Sequence, residues 1–252
     1  VSYISGPLPS AMQTIPSGLS TQFEWVYQAT APGTVWVSAN AVGYNEANKA
    51  TITANAAWTN DVIIQPAASL TAGLVSIPNQ VSIGQIITVV MAVTNNGTAM
   101  AEGAYGVTPA ASIPANALIL TSPASVDIAG GASAHFTWTY SANASGTINF
   151  ASMIVGYDFN SKVTKTASAM GGNVNIQSIP ALASSVSAMP VLIKESVDAI
   201  TVILSVTNSG QAAMTNVVPS LDITGSSTPM YLKGPAPLSA NISGNGGNAR
   251  FT

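Results

Sequence analysis

Few side chains in this 252-residue chain could do acid–base chemistry. The single histidine, His135, directly precedes an aromatic run, and the residues ahead of two related runs are Gln22 and Arg250. A position that accepts Gln, His or Arg is typical of an exposed polar site rather than of a general base. An enzymatic reaction needs clustered acid, base or nucleophile groups. We therefore predict no catalytic residue, no cofactor and a chain that is not an enzyme.

The acidic residues offer two weak candidates for a calcium site. Glu195 and Asp198 lie three residues apart, and Asp158 with Asn160 follows a Gly-Tyr pair. Calcium takes about six to eight oxygen ligands, including carboxylates. Neither pair supplies that many, and Asn45 stands at the position of Asp158 in a related stretch. We predict no metal site and interpret these side chains as solvated loop residues.

Three Asn-x-Ser/Thr sequons could accept N-linked glycans. They begin at Asn96, Asn143 and Asn241, each in a segment whose composition predicts a turn or loop. None has an acidic residue two places upstream, so an archaeal or eukaryotic-type pathway would be implied. We expect all three side chains to reach solvent and at least one to carry a glycan.

Two tryptophans, Trp36 and Trp58, have no aromatic counterpart in the related stretches. Trp36 lies out of phase with the apolar Val35 and Val37, and the residue equivalent to it is Asn149. Exposed aromatic rings bind sugars, and they are also enriched at subunit interfaces. Both interpretations stay open for these two side chains.

The composition excludes several classes of protein. Charged residues make up 6% of the chain, apolar residues 47%, the net charge is −3 and there is no cysteine. Disulfides and thiolate metal sites are therefore excluded. No basic stripe exists for nucleic acid, and the apolar runs are far shorter than the roughly 20 residues of a membrane-spanning helix. We predict no nucleic-acid partner and no membrane-spanning segment.

The strongest signal in the sequence is internal repetition. The aromatic run at 23–27 returns at 136–140, and the Val-Thr-Asn-x-Gly run at 93–97 returns at 206–210. Gly-Thr-Val/Ile and Val-Gly-Tyr-Asn/Asp motifs recur at the same interval of 113 residues. The Gly-Pro-x-Pro loop at 6–9 recurs after twice that interval. Agreement of separate blocks at one interval predicts tandem repeats of about 113 residues.

The repeat predicts a domain map. Residues 1–66 are the second half of one repeat, residues 67–180 a complete repeat, and residues 181–252 the first part of a third. Both ends of the chain then fall inside a domain, so we expect a fragment of a longer repeat protein. The alternative is head-to-tail assembly, in which the open part of one copy is completed by another copy of the chain.

Each repeat has the residue pattern of an all-β fold. Apolar residues alternate with mixed ones along 87–94 and 200–207, and turn-forming residues separate such runs. About seven short strands in 113 residues are typical of an immunoglobulin-like β-sandwich. The residues that we predict in the core of the complete repeat are Ile87, Val89, Met91, Val93, Phe136, Trp138 and Tyr140.

These motifs taken in order resemble a known family. The Val-Thr-Asn-x-Gly run, a Gly/Ser-rich turn, Phe-x-Trp-x-Tyr, Gly-Thr-Val/Ile and Val-Gly-Tyr-Asn/Asp are similar to CARDB-type adhesion-related repeats of bacterial and archaeal surface proteins. The resemblance covers nearly the whole chain. It implies tandem immunoglobulin-like modules in a secreted or surface-anchored protein, where such modules form stalks, fibres or adhesin arms.

The leading functional hypothesis is a non-catalytic structural protein of the cell exterior, built as a filament, surface layer or stalk. Its partners would be other copies of the chain or a surface partner, with glycans as attached groups. One alternative is an adhesin or carbohydrate-binding arm. The other is an accessory segment of a large secreted enzyme.

Overall fold

The protein is described by a computed structural model that covers residues 1–10, 12–195, 198–227 and 229–252. Regular structure in these ranges is β-strand, apart from one turn of 3-10 helix at Pro114–Asn116. No helix among them is long and apolar enough to cross a membrane. The fold is all-β, which confirms the fold class that the alternating pattern predicts.

Residues 1–66, called the head, form short antiparallel ribbons. Its strands are β1 (Ser2–Leu8), β2 (Glu24–Gln28), β3 (Gly33–Val35), β4 (Ser38–Ala39), β5 (Val42–Tyr44), β6 (Thr51–Thr53), β7 (Ala57–Trp58) and β8 (Val62–Ile64). The pairs are β1 with β2, β3 with β8, β4 with β7 and β5 with β6. No second sheet covers these ribbons in the described part of the head, so the Trp25 side chain is 44% exposed.

Residues 67–180, called the middle module, form a β-sandwich of immunoglobulin-like type. Its strands are β9 (Leu70–Ile77), β10 (Gln80–Ser82), β11 (Ile86–Asn95), β12 (Ala101–Gly106), β13 (Ala110–Ala111), β14 (Ala117–Thr121), β15 (Val126–Ile128), β16 (Ser133–Ala142), β17 (Gly146–Ile148), β18 (Phe150–Asp158), β19 (Thr164–Met170) and β20 (Val174–Gln177). Eight of the twelve are four residues or longer, close to the seven predicted. The other four are too short to show an alternating pattern.

The middle module has three sheets. One sheet has the order β14-β16-β11-β9, and the second has the order β13-β18-β12-β15 with β19 beside β18. The third has the order β10-β20-β17, in which β10 runs parallel to β20 and β17 antiparallel to it. The two larger sheets face each other, so that each strand turns alternate side chains inward.

A continuous apolar core fills the space between these sheets. The seven side chains that the sequence predicts in the core are at most 3% exposed, which confirms that prediction. From the other sheets, Ile148, Phe150, Ile154 and Ile176 join the same cluster. Burying one such side chain contributes about 1.5–3 kcal/mol, so this cluster supplies most of the stabilisation of the module.

The largest core side chain, Trp138, requires a glycine opposite it. A Cβ on Gly106 would lie 2.4 Å from the Trp138 ring, so only glycine lets β12 approach that ring. Nearby, the Tyr140 hydroxyl donates a hydrogen bond to the Pro109 carbonyl at 2.5 Å. Burial raises the pKa of Tyr140 to about 12. The aromatic run thus spans the core and ends on a satisfied polar contact.

Residues 181–252, called the tail, form a smaller version of the same arrangement. Its strands are β21 (Leu182–Met189), β22 (Thr201–Asn208), β23 (Met214–Val217), β24 (Ala240–Ile242) and β25 (Gly247–Phe251). One sheet has the order β21-β22-β25, and β23 pairs with β24. Val206, Ile242 and Phe251 form its core. Phe251 pairs with Leu204 as Phe136 pairs with Met91 in the middle module.

Candidate functional site: the joints between modules

A buried asparagine closes the loop that follows β11. Asn95 is fully buried, and its Oδ1 accepts hydrogen bonds from the Ser69 amide at 3.0 Å and the Gly97 amide at 3.1 Å. Its Nδ2 donates to the Ala99 carbonyl at 2.8 Å and the Ile128 carbonyl at 3.1 Å. The side chain therefore ties together the loop, the edge strand β15 and the connector that enters the module from the head.

The tail repeats this network around Asn208. Asn208 is also fully buried, and its Oδ1 accepts from the Ala181 amide at 3.0 Å and the Gly210 amide at 3.1 Å. Its Nδ2 donates to the Ala212 carbonyl at 2.8 Å and the Ile242 carbonyl at 3.5 Å. The connector between the middle module and the tail is thus held as the previous connector is. We call each connector with its asparagine loop a joint.

A glycine in each loop lets the connector pass at close range. A Cβ on Gly97 would lie 2.0 Å from the Ala67 carbonyl oxygen, and a Cβ on Gly210 would lie 2.0 Å from that of Ile179. No larger residue fits either position without displacing the connector backbone. The recurrence of Asn and Gly at one interval was the sequence signal for the joints, although the pattern alone indicates only a fold motif.

Backbone hydrogen bonds complete both joints. The Ala99 amide donates to the Pro66 carbonyl at 3.0 Å, and the Ala212 amide donates to the Ser178 carbonyl at 3.0 Å. In the second joint the Gln211 side-chain oxygen also accepts from the Ser178 amide at 2.8 Å, and the Gln211 amide donates to the Ser178 hydroxyl at 2.9 Å. The connectors are consequently held along their length rather than at one point.

A glutamine at the end of each preceding unit reaches across its joint. Gln65 Nε2 donates to the Thr98 carbonyl at 3.5 Å, and Gln177 Nε2 donates to the Gln211 carbonyl at 3.4 Å. In the first joint Asn160 Nδ2 also donates to Gln65 Oε1 at 3.0 Å. These bonds are long and exposed, so they contribute orientation more than stability.

A buried carboxylate, Asp158, reinforces the first joint. It is 2% exposed; its Oδ2 accepts from the Ala68 amide at 2.7 Å, and its Oδ1 accepts from the amide and hydroxyl of Ser161 at 2.7 and 2.8 Å. Burial raises the pKa of this carboxyl, but these hydrogen bonds and the positive charge of Lys165 outweigh it and leave the pKa below its ordinary value. The interpretation of Asp158 as a solvated loop residue is therefore wrong.

The equivalent residue in the head, Asn45, makes local contacts. Its Oδ1 accepts from the Ala47 and Asn48 amides at 2.9 and 3.3 Å. The two turns otherwise match, since Lys49 and Lys162 both have a positive φ, of 58° and 55°. The second oxygen of the carboxylate is what allows Asp158 to hold a connector as well as its own turn.

The structure places the three predicted glycosylation sites on the surface, as expected. Asn96, Asn143 and Asn241 are all exposed. Asn96 and Asn143 lie in loops, which confirms that part of the prediction. Asn241 lies within β24 rather than in a loop, so the loop assignment is wrong at that position. The reason is that β24 pairs with β23 through Met214 and Val217. Whether any of the three carries a glycan stays a prediction.

The other candidate residues remain apart. His135 is exposed, as predicted, and the Asp198 carboxylate accepts a hydrogen bond from the Lys194 amide at 2.9 Å. Within the described ranges, no group of three or more His, Cys, Asp or Glu residues is placed to hold a metal ion. The joints are therefore the features that the structure assembles from separate parts of the sequence.

The two unmatched tryptophans lie on one ribbon of the head. Trp58 pairs with Ser38, two residues after Trp36, and the Val37 amide donates to the Thr59 hydroxyl at 2.9 Å. Trp36 is 59% and Trp58 67% exposed. Because residues two apart on a strand share a face, both rings stand on the same side of the ribbon.

Comparison with known proteins gives a distant structural likeness. No protein-family model matches the chain, and no curated protein sequence matches it. A search of solved structures finds similar chains, among them the CARDB domain of a Pyrococcus furiosus protein crystallised in complex with di-metal ions. That structure is 13% identical over 44% of this chain and 94% of its own length, with a TM-score of 0.31. We therefore infer function from the contacts of this chain alone.

Proposed function

We propose that the chain is a non-catalytic structural segment of an extracellular or cell-surface protein, in which tandem sandwich modules form a stalk, filament or surface layer. The observation that carries this proposal is the repeated joint. Asn95 and Asn208 hold successive connectors through the same set of hydrogen bonds. A flexible linker between independent binding modules would not need such a device.

The energetics of the joint support a rigid connection. Each joint removes a connector from solvent contact and satisfies its backbone groups on a fully buried amide. Leaving those groups unpaired would cost about 1–3 kcal/mol each. Bending the chain at a joint therefore breaks several bonds together, whereas bending at a Gly/Ser linker breaks none. Modules connected in this way transmit orientation from one to the next, which a stalk or filament requires.

A second candidate function is an adhesin or carbohydrate-binding arm. The observation that favours it is the exposed pair Trp36 and Trp58 on one face of a ribbon. Flat aromatic rings at adjacent positions present the apolar surface on which sugar rings stack. The two functions are compatible, because a rigid array can carry a binding face in one of its modules.

The proposal is tested by measuring the distance distribution across the second joint. The chain contains no cysteine, so spin labels can be attached at Thr137→Cys in the middle module and Thr207→Cys in the tail, two exposed positions. We expect a single narrow distribution from pulsed electron–electron resonance. Two joint variants, Gln177→Ala with Gln211→Ala and separately Gly210→Ala, are expected to broaden it.

The matched control is Asn173→Ala, which removes an exposed amide near the joint but outside it. This variant is expected to leave the distribution unchanged. A broad distribution in the parent chain, or an equal width in the parent and in both joint variants, would refute a rigid joint and with it the structural proposal.

A further inference from the structure

We infer that Asn241 is the preferred N-glycan acceptor among the three sequons. Strand geometry is the first reason. In Asn241-Ile242-Ser243 the central Ile242 is 1% exposed, whereas Asn241 and Ser243 are both exposed. Because residues two apart in an extended segment point to the same side, the acceptor amide and the hydroxyl that the sequon requires face solvent together.

The hydrogen bonds of Asn241 are the second reason. Its Oδ1 accepts from the Asn216 amide at 2.8 Å, and no protein partner for its Nδ2 is present within the described residues. In the middle module Asp127 Oδ1 makes the equivalent bond to the Gly103 amide at 2.7 Å. Gly103 and Asn216 both have a positive φ, of 59° and 53°. Aspartate has no amide nitrogen, so the fold uses only the oxygen at this position.

The other two sequons use the nitrogen that a glycan would occupy. Asn96 Nδ2 donates to the Thr71 hydroxyl at 3.1 Å, and Asn143 Nδ2 donates to the Ala115 carbonyl at 3.1 Å. The sequon hydroxyl of Thr98 also donates to the Pro66 carbonyl at 3.4 Å, within the first joint. Modification at these positions competes with folded-state contacts, whereas modification at Asn241 leaves the Oδ1 bond in place.

The chemistry requires one co-reactant, an oligosaccharide linked to a polyprenyl phosphate or diphosphate. The bond that forms joins Asn241 Nδ2 to the anomeric carbon of the sugar. The bond that breaks joins this carbon to the phosphate oxygen, and its electron pair leaves with the phosphate. Nδ2 releases one of its two protons to solvent and keeps the other.

The site lies away from the joints, so it adds a property that the structural proposal does not contain. Charged residues make up only 6% of the chain. Attached glycans would supply the hydration that charge does not, and would keep the edge strand β24 from pairing with other chains. Since the acceptor site and the joint involve different residues, each can fail without the other.

The test uses the folded full-length chain with a purified oligosaccharyltransferase and its lipid-linked donor. The enzyme preparation is one first shown to modify an isolated peptide of residues 236–250. Occupancy at each sequon is measured by peptide mapping with mass spectrometry. We expect occupancy at Asn241 to exceed that at Asn96 and Asn143 roughly fivefold, the factor for retaining one net hydrogen bond.

Two variants serve as controls. Ser243→Ala is expected to abolish modification at Asn241 alone. Asn241→Asp is expected to remove the acceptor and to keep the parent melting temperature, because Asp127 fills the equivalent position in the middle module. Occupancy at Asn241 equal to or below that at Asn96 or Asn143 in the folded chain would overturn the inference, as would a loss of folding in Asn241→Asp.

Discussion

Asn95 and Asn208 make the same four hydrogen bonds in two modules, although their partners do not all lie at the same interval. The partners Gly97 and Ala99 have counterparts 113 residues later, whereas those of the other two are 112 and 114 residues later. All eight partner atoms belong to the backbone. One-residue length changes and side-chain substitutions are therefore tolerated, because the amide recognises chain conformation rather than residue type.

Removing either asparagine should destabilise its own module. Asn95→Ala leaves buried backbone groups of Ser69, Gly97 and Ala99 without that partner, so we expect a loss of about 1–3 kcal/mol in the free energy of unfolding. Urea titration followed by Trp138 fluorescence measures this loss. The tail has no tryptophan, so Asn208→Ala is followed by amide hydrogen exchange. Exposed Asn173→Ala is the control, and equal stability of Asn95→Ala and Asn173→Ala would contradict the prediction.

The middle module should lose stability in acid through Asp158. Its pKa is lower in the folded chain than in the unfolded chain, so its contribution is complete above the unfolded pKa of about 4 and disappears as the pH falls through the folded pKa. Asp158→Asn should cost about 1–3 kcal/mol at pH 7 and flatten the decline below pH 4. Urea midpoints between pH 2 and pH 7, about the range in which carboxyls titrate, measure both effects.

The control for this prediction is Asp127→Asn. Asp127 uses one oxygen, and Asn241 makes the same bond in the tail, so this variant should keep the parent pH profile. An unchanged acid limb in Asp158→Asn would show that other groups determine the acid sensitivity.

Core variants should separate buried from exposed tryptophans. Trp138→Ala is expected to cost about 3–5 kcal/mol, because it empties the centre of the sandwich. Gly106→Ala should also destabilise the module, since the added methyl would overlap the Trp138 ring. Trp36→Ala should stay within about 0.5 kcal/mol of the parent chain. Calorimetric unfolding checks all three, and a large loss in Trp36→Ala would mean that its ring is covered.

A sugar-binding head should depend on its two exposed rings. If the second candidate function holds, the double variant Trp36→Ala, Trp58→Ala loses glycan-array binding while keeping the parent circular dichroism spectrum. Tyr105→Ala, which removes an exposed aromatic ring in the middle module, is the matched control. Binding that survives the double variant, or no binding by the parent chain, would reject a sugar-binding role for this face.

The sequence predicts the middle module well because period-two alternation reports directly on burial. All seven predicted core residues are buried, and the only helical segment is the 3-10 turn at Pro114–Asn116. Trp25 shows the limit of this inference. It occupies the same motif as Trp138, but nothing in the described head covers it, so the same residue type is 44% exposed. The repeat length and the domain boundaries stay predictions.

The joint residues could not be assigned from pattern alone. Asp158 follows a strand and precedes an Asn-Ser pair, which are turn features, and only the approach of Ala68 from 90 residues away buries it. Likewise, the turn-forming residues around Asn241 predict a loop, yet pairing of β24 with β23 makes the segment a strand. Both errors have one cause: long-range pairing decides burial where the local composition is polar.

The parallel pairing of β10 with β20 has a mechanical consequence. These strands lie near the two ends of the middle module, and Val81 pairs with Ile176 at the centre of their ladder. A pulling force applied through the two connectors draws the strands along their axes in opposite directions. All rungs of the ladder then carry the load in shear and must break together, whereas a hairpin pulled open from one end yields one rung at a time. A module of this topology resists tension.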